Sequence, residues 1–222
     1  RGDSDENVRE NYRRFCAAVG VTAESTVFTQ QTHSENIRLV TAQDAGKGLL
    51  RPRDYTEVDA LITDTPGLSL VVFSADCGTI LLYDPVHRAI GAVHAGWRGV
   101  AAGLVAKTAL KMHDTFGTEL GDLLCALGPA IGPCCFETDD DVPAAMHDAL
   151  GAQADPFLTR RGAKWHIDLK AINAHWLKSL GVRHIDICPH CTACRQDLYW
   201  SHRKVGNARG AQIALLALED PL

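Results

Sequence analysis

The sequence predicts a mixed α/β or α+β fold, organised as one domain over residues 1–222. Three observations carry this. Apolar, strand-like runs alternate with helix-periodic stretches along the whole chain. Tight turns such as Thr65-Pro66-Gly67 and Asp84-Pro85 close some runs, while helical crossovers join others. There is also no Gly-rich phosphate loop of the Walker or dinucleotide type. Hairpin turns beside crossovers argue against a regular, parallel, doubly wound sheet.

Taken in order, DENVRENYRRFCAAVG places Val8, Tyr12, Phe15, Cys16 and Val19 at helical spacing, with Gly20 suited to the C-terminal cap. STVFTQQTH reads as a strand ending in a polar turn, and VDALITD as a short strand. LSLVVFSADC is nearly all apolar, as in a buried strand, and GTILLYD continues it to the turn at Asp84-Pro85. RAIGAVHAG returns as a further strand. From Val100 the period becomes helical, with Leu104, Val105, Thr108, Met112 and Phe116 on one face. DLLCALGPAIG predicts a strand running into a Gly/Pro loop. DDDVPAAMHDALG predicts a helix with acids at its positive end. KWHIDLKAINAHWLKSLGV predicts a strand, then a helix from an N-cap at Asp168 to Gly181. VRHIDICPHCTAC and YWSHRKVGNARGAQIALLAL supply the last strands.

Bulk properties exclude several classes. A net charge of −5 argues against a general nucleic-acid or acidic-membrane surface, though it leaves room for a local basic phosphate pocket. No apolar run approaches the ~20 residues that span a bilayer. The chain starts at Arg1 in a polar stretch without Met or a signal peptide, as a truncated or processed chain would. Eight cysteines without an extracellular framework suggest a reducing, cytoplasmic compartment.

Chemistry concentrates at strand ends, where a rigid scaffold meets an accessible loop. His33 follows one predicted strand, Cys77 another, and His94 a third. Convergence of the three would make a His/Cys/His set suited to a borderline-soft ion, with a fourth position open. The plain alternative is three unrelated polar residues. His87, His113, His147, His175 and His184 read as ordinary polar histidines. CPHCTAC, with Cys188, His190, Cys191 and Cys194, contains a Cys-x-x-Cys, but a zinc ribbon needs a second spaced pair. Cys134-Cys135 is adjacent, so the expected reading is loop or buried thiols. HAGWRG, with Arg98 at a helix start, suggests an anion site or, equally, a turn in which Arg98 pairs with a carboxylate.

QTH, DALITDTPGLSL, SADC, HAGWRGVAAG, GPAIGPCCFE, CTAC and Ser-x-Arg with a later Arg-Gly resemble, in this order, the YfiH family, described as multicopper polyphenol oxidases (laccases) and as purine nucleoside phosphorylases. The match runs from about Asn7 to near the C-terminus. It implies a layered α/β/β/α single domain with mixed sheets, of cysteine-hydrolase-like architecture. It implies metal ligands His33, Cys77 and His94, zinc as cofactor, and purine nucleosides and phosphate as small-molecule partners. The implied activities are phosphorolysis of adenosine, inosine and methylthioadenosine, and adenosine deamination. Two segments depart from the family pattern: the upstream Ser-Thr-Arg-x-Gly-Gly is not in this chain, and Ser-Tyr-Arg-Arg is replaced by Ser201-His202-Arg203-Lys204.

On this reading Cys77, His94 and His33 are the catalytic metal set. Asp76 is either the acid/base or a group orienting a ligand, and Arg98 and Arg203 bind substrate phosphate. Three rivals remain. One is a Cu²⁺ laccase at the same ligands, against which stands the lack of any His-x-His pair. Another is a metal-free cysteine hydrolase with Cys77 as nucleophile and His94 as base. The last is a purely structural zinc.

Overall fold

The computed structural model describes residues 2–219. Helix α1 (Asp5–Ala18) begins where Ser4 Oγ accepts the Asn7 amide, and it buries Cys16. There follow β1 (Thr26–Phe28), β2 (Ile37–Leu39), β3 (Ala60–Thr63), β4 (Ser69–Ser74), β5 (Gly78–Asp84) and β6 (Ala89–Ala95). The single turn α2 (Trp97–Ala101) leads to α3 (Leu104–Phe116), then β7 (Leu124–Leu127), β8 (Glu137–Thr138), α4 (Asp141–Leu150), β9 (Leu158–Arg161) and β10 (Lys164–Ile167). Helix α5 (Leu169–Ser179), β11 (His184–Ile187), the short α6 (His202–Val205) and β12 (Gln212–Ala217) complete the chain. No helix among the described residues is long and apolar enough to cross a membrane.

The strands form a six-stranded mixed sheet, β11-β7-β5-β6-β3-β2, a three-stranded mixed sheet, β1-β4-β12, and a small antiparallel sheet, β8-β10-β9. Strand alternation builds two cores from one sheet. Ala60 and Ile62 of β3 and Val93 of β6 pack with Leu104, Met112, Ile172 and Leu177 of the helices. Leu61, Ile90 and Ala92, on the opposite face, pack with Val27, Leu70 and Val72 of the three-stranded sheet. Tyr12 of α1 reaches the outer side of that sheet, edge-on to Phe28 at 5.1 Å. The result is the layered α/β/β/α arrangement with mixed sheets.

Two expectations are corrected. GTILLYD does not extend LSLVVFSADC: β4 belongs to the three-stranded sheet and β5 to the six-stranded one. Residues 75–77 carry the chain from one to the other. An unbroken apolar composition cannot reveal this switch, because both strands are buried. The helix after HAGWRG is also two helices, parted by Gly103 at φ 66. Glycine reaches this left-handed conformation without steric cost. A Cβ there would stand 3.4 Å from the Trp176 ring, whose Nε1–H donates to Val100 O at 2.9 Å.

Candidate metal centre

Strand pairing explains why residues distant in sequence meet. In the β5–β6 hairpin Gly78 pairs with Ala95, so Cys77 lies beside residues 94–96 despite the separation in sequence. Ala60 of β3 pairs with Val93, which puts Asp59 against His94, whose amide donates to Asp59 O at 2.8 Å. An isolated bridge between Gln30 and Val58 brings the loop after β1 to the same place.

Asp59 organises the centre. It is fully buried. Its Oδ1 accepts His94 Nδ1–H at 2.7 Å and the His33 amide at 3.2 Å. Its Oδ2 accepts the amides of Thr32 at 3.0 Å and Ser34 at 2.8 Å. Burial pushes this carboxyl up, but the bonds from His94, Thr32 and Ser34 outweigh it and hold it at about 2. A carboxylate cannot donate, so His94 carries a proton on Nδ1, which leaves Nε2 as its ligand nitrogen once deprotonated. The same amide cluster supports His33 in a left-handed conformation, φ 66, that a non-glycine residue seldom adopts.

One nitrogen of His33, one of His94 and Cys77 Sγ all lie within 4.8 Å of one another. His33 Nε2 is 3.7 Å from Cys77 Sγ. Tetrahedral zinc with one sulfur at about 2.3 Å and one nitrogen at about 2.0–2.1 Å sets them roughly 3.5–3.6 Å apart, so the donors present fit such an ion. Burial pushes the Cys77 thiol up, but hydrogen bonds with His33 and His94 outweigh it and bring it to about 6. Burial pulls the His94 imidazole down, while Asp59 and Cys77 raise it to about 9. Both shifts favour the charged forms, thiolate and imidazolium, and binding an ion requires His94 Nε2 to lose its proton.

Gly96 makes room for the ligands. A Cβ there would lie 2.4 Å from His33 Cδ2 and 3.2 Å from Cys77 Sγ. Gly96→Ala is therefore expected to keep the fold but push His33 aside, lowering bound metal per chain, as measured by elemental analysis of the folded protein.

The other expected residues lie around this set. Asp76 is buried, and both its oxygens are engaged: Oδ1 accepts Thr192 Oγ1–H at 2.6 Å and Oδ2 accepts the Arg203 amide at 2.7 Å. The Arg203 guanidinium donates to Cys135 O at 2.9 Å and Glu137 O at 3.0 Å. Arg98 is exposed and lies over the Trp97 ring at 4.2 Å; among the described residues it pairs with no carboxylate. Helix α2 is a single turn with Gly96 at its N-cap. A cavity of about 290 Å³ opens from His33 and Cys77, walled by Trp97, Phe136, Arg98 and Arg203. His202 lines it as well. His87, His113, His147 and His175 bond elsewhere, to Asp84, Thr118 O, Asp155 and Gln153.

Sequence reasoning missed Asp59 and Arg209. Arg209 lines both this cavity and a second cleft, which shares His33 and Cys77 and also contains Arg53. The available signal for Asp59 was an acid at the head of the buried strand Ala-Leu-Ile-Thr, which burial penalises unless it is partnered. Sequence spacing also gave no second thiol pair near Cys191 and Cys194, yet the fold brings Cys134 and Cys135 to them.

Residues 1–219 match the model of a family described as multi-copper polyphenol oxidoreductase laccase. The chain is 32% identical to purine nucleoside phosphorylase YlmD of Geobacillus stearothermophilus, over 99% of this chain and 81% of that one. It is 33% identical to a purine nucleoside phosphorylase of Bacteroides thetaiotaomicron, over 94% of this chain and 79% of that one. The crystal structure of Bacillus licheniformis hypothetical protein YfiH superposes with a TM-score of 0.93 at 30% identity, covering 98% of this chain and 83% of that one. With this match over nearly its whole length, the chain belongs to the multi-copper polyphenol oxidoreductase laccase family, the family of YfiH and YlmD.

Proposed function

We propose that this chain is a zinc-dependent purine nucleoside phosphorylase acting on adenosine, inosine and methylthioadenosine, with adenosine deamination as a second activity. The observation that carries the reading is the His33/Cys77/His94 set opening onto a cavity with aromatic and cationic walls. The names of the YlmD and Bacteroides relatives support it.

Zinc held by these three residues supplies a Lewis acid with one coordination position left for a reactant. The chain's own residues do the rest. Asp59 fixes the His94 tautomer and the His33 loop, so the donors are held in place before binding. Trp97 and Phe136 offer flat faces for the purine. Arg98 and Arg203 supply positive charge for phosphate. In phosphorolysis a phosphate oxygen bonds to C1′ as the C1′–N9 bond breaks. The electron pair of that bond leaves with the purine, which takes up the proton of the hydrogen phosphate, directly or through solvent, giving the sugar 1-phosphate and free base. Asp76, with both oxygens engaged, acts as a positioning residue that ties Arg203 to the Thr192 segment.

A second reading has a specific observation behind it: Asp59, His94 and Cys77 stand in the order of a hydrolase triad. The proximity of His33 to the same sulfur favours the metal. Against a multicopper oxidase, the metal-capable groups among the described residues are this set and one all-cysteine cluster, neither of them rich in histidine.

The test is metal-quantified protein incubated with each nucleoside, with and without inorganic phosphate. Phosphate-dependent free base and sugar 1-phosphate are expected, with inosine formed from adenosine. Full turnover by metal-stripped protein would overturn the zinc reading, and phosphate-independent cleavage by it would favour the cysteine hydrolase. Oxidation of phenols alone, and only with added copper, would mean the laccase.

A further inference from the structure

We propose that Cys134, Cys135, Cys191 and Cys194 form a second metal site, a structural tetrathiolate zinc centre separate from the His33/Cys77/His94 set. The four sulfurs lie within 4.8 Å of one another. Cys194 Sγ is 3.6 Å from Cys134 Sγ and 3.4 Å from Cys135 Sγ. Four sulfurs about 2.3 Å from one zinc stand roughly 3.8 Å apart, close to this spacing. A disulfide joins two sulfurs and leaves the rest; here one sulfur is nearly equidistant from two others.

Two turns present the ligands. Cys135 N–H and Phe136 N–H both bond Gly132 O, curling the chain so that neighbouring cysteines point inward. Cys194 N–H and Arg195 N–H both bond Cys191 O, the same device at Cys191-x-x-Cys194. The turns are locked by a bridge between Ala130 and Cys191 and by the Gly132 amide donating to Cys191 Sγ at 3.2 Å. A Cβ on Gly132 would meet Cys191 Cβ at 3.3 Å and Cys134 Sγ at 3.4 Å, so the glycine keeps the space between the turns open. A small apolar cluster, Ile131, Cys191 and Ala193, with Cys135 and Phe136 packed against it, lies beside the four sulfurs. This loop also supplies the carbonyls of Cys135 and Glu137 that hold Arg203, so the centre braces one wall of the cavity.

Purified, reduced full-length protein loaded with zinc is expected to carry two zinc ions per chain by elemental analysis and native mass spectrometry. A Cys134→Ser/Cys194→Ser variant should carry one, as should a Cys77→Ala variant; Cys188→Ser should still carry two. So that the test does not depend on the double variant folding, the wild type is also measured with cobalt. Thiolate-to-cobalt charge-transfer absorption should rise in two saturating steps, and the step that survives in the Cys77→Ala variant should be the stronger, reflecting four thiolates rather than one. A zinc count that the Cys134→Ser/Cys194→Ser substitutions leave unchanged, cobalt absorption lost entirely in the Cys77→Ala variant, or a disulfide among these four cysteines in protein purified without reductant would each overturn the assignment. None of these readouts uses catalysis, so the result stands apart from the phosphorylase reading.

Discussion

The Cys77→Ala protein is expected to fold, to lose the ion held with His33 and His94, and to lose phosphorolysis by more than about 100-fold. That is beyond the upper end of what removing an outer-shell partner costs. Two imidazoles alone hold a borderline-soft ion poorly, because the thiolate supplies the only negative charge among the three donors. The fold should survive, because Cys77 is only partly buried, sits in the short crossing between sheets, and belongs to none of the hydrophobic clusters of the core. Metal per chain, circular dichroism and product analysis on one preparation check all three parts. An unchanged metal count would remove Cys77 from the ligand set. Lost activity with the ion retained would make it a nucleophile.

Asp59→Asn is expected to cost 10- to 100-fold in metal affinity and to destabilise the protein by about 1–3 kcal/mol. The substitution is nearly isosteric, so the effect comes from hydrogen-bond polarity. Asp59 accepts on both oxygens, from His94 Nδ1–H and the His33 amide on one side and from the Thr32 and Ser34 amides on the other. Asparagine has one accepting oxygen. Whichever way it turns, its NH₂ faces buried donors, and either the His94 tautomer or the His33 loop loses its support. Competition with a chromophoric chelator measures the affinity, and thermal denaturation of metal-free protein measures the stability. Wild-type affinity in the variant would mean that Asp59 does not orient the ligands.

Much of the fold was legible locally. The Ser4 and Asp168 caps, the helical faces of α3 and α5, and the apolar runs of β4 and β6 all rest on short-range pattern, and the helices and strands formed there. What was not legible involved pairing. Nothing in LSLVVFSADCGTILLYD says that its two halves belong to different sheets. The two-residue β8 and the polar β9 carry no alternation strong enough to announce a strand. Cys134-Cys135 looked unsuitable as a ligand pair because adjacent side chains diverge in extended chain; a turn anchored on Gly132 O makes them converge.

The sequence by itself determined most of the helices and strands, a mixed α/β or α+β class, and the chemical types available: imidazole at His33 and His94, thiol at Cys77, guanidinium at Arg98 and Arg203. These follow from side-chain period, capping chemistry and composition, which act over a few residues. Tertiary structure alone decided which of them meet. The β5–β6 register put Cys77 beside His94, the β3–β6 register put Asp59 behind it, and the bridge at Val58 delivered His33. The physical reason is that strand register is set by pairing between segments that local pattern does not connect, and a shift of one residue in β5–β6 or β3–β6 would part Cys77 and Asp59 from His94.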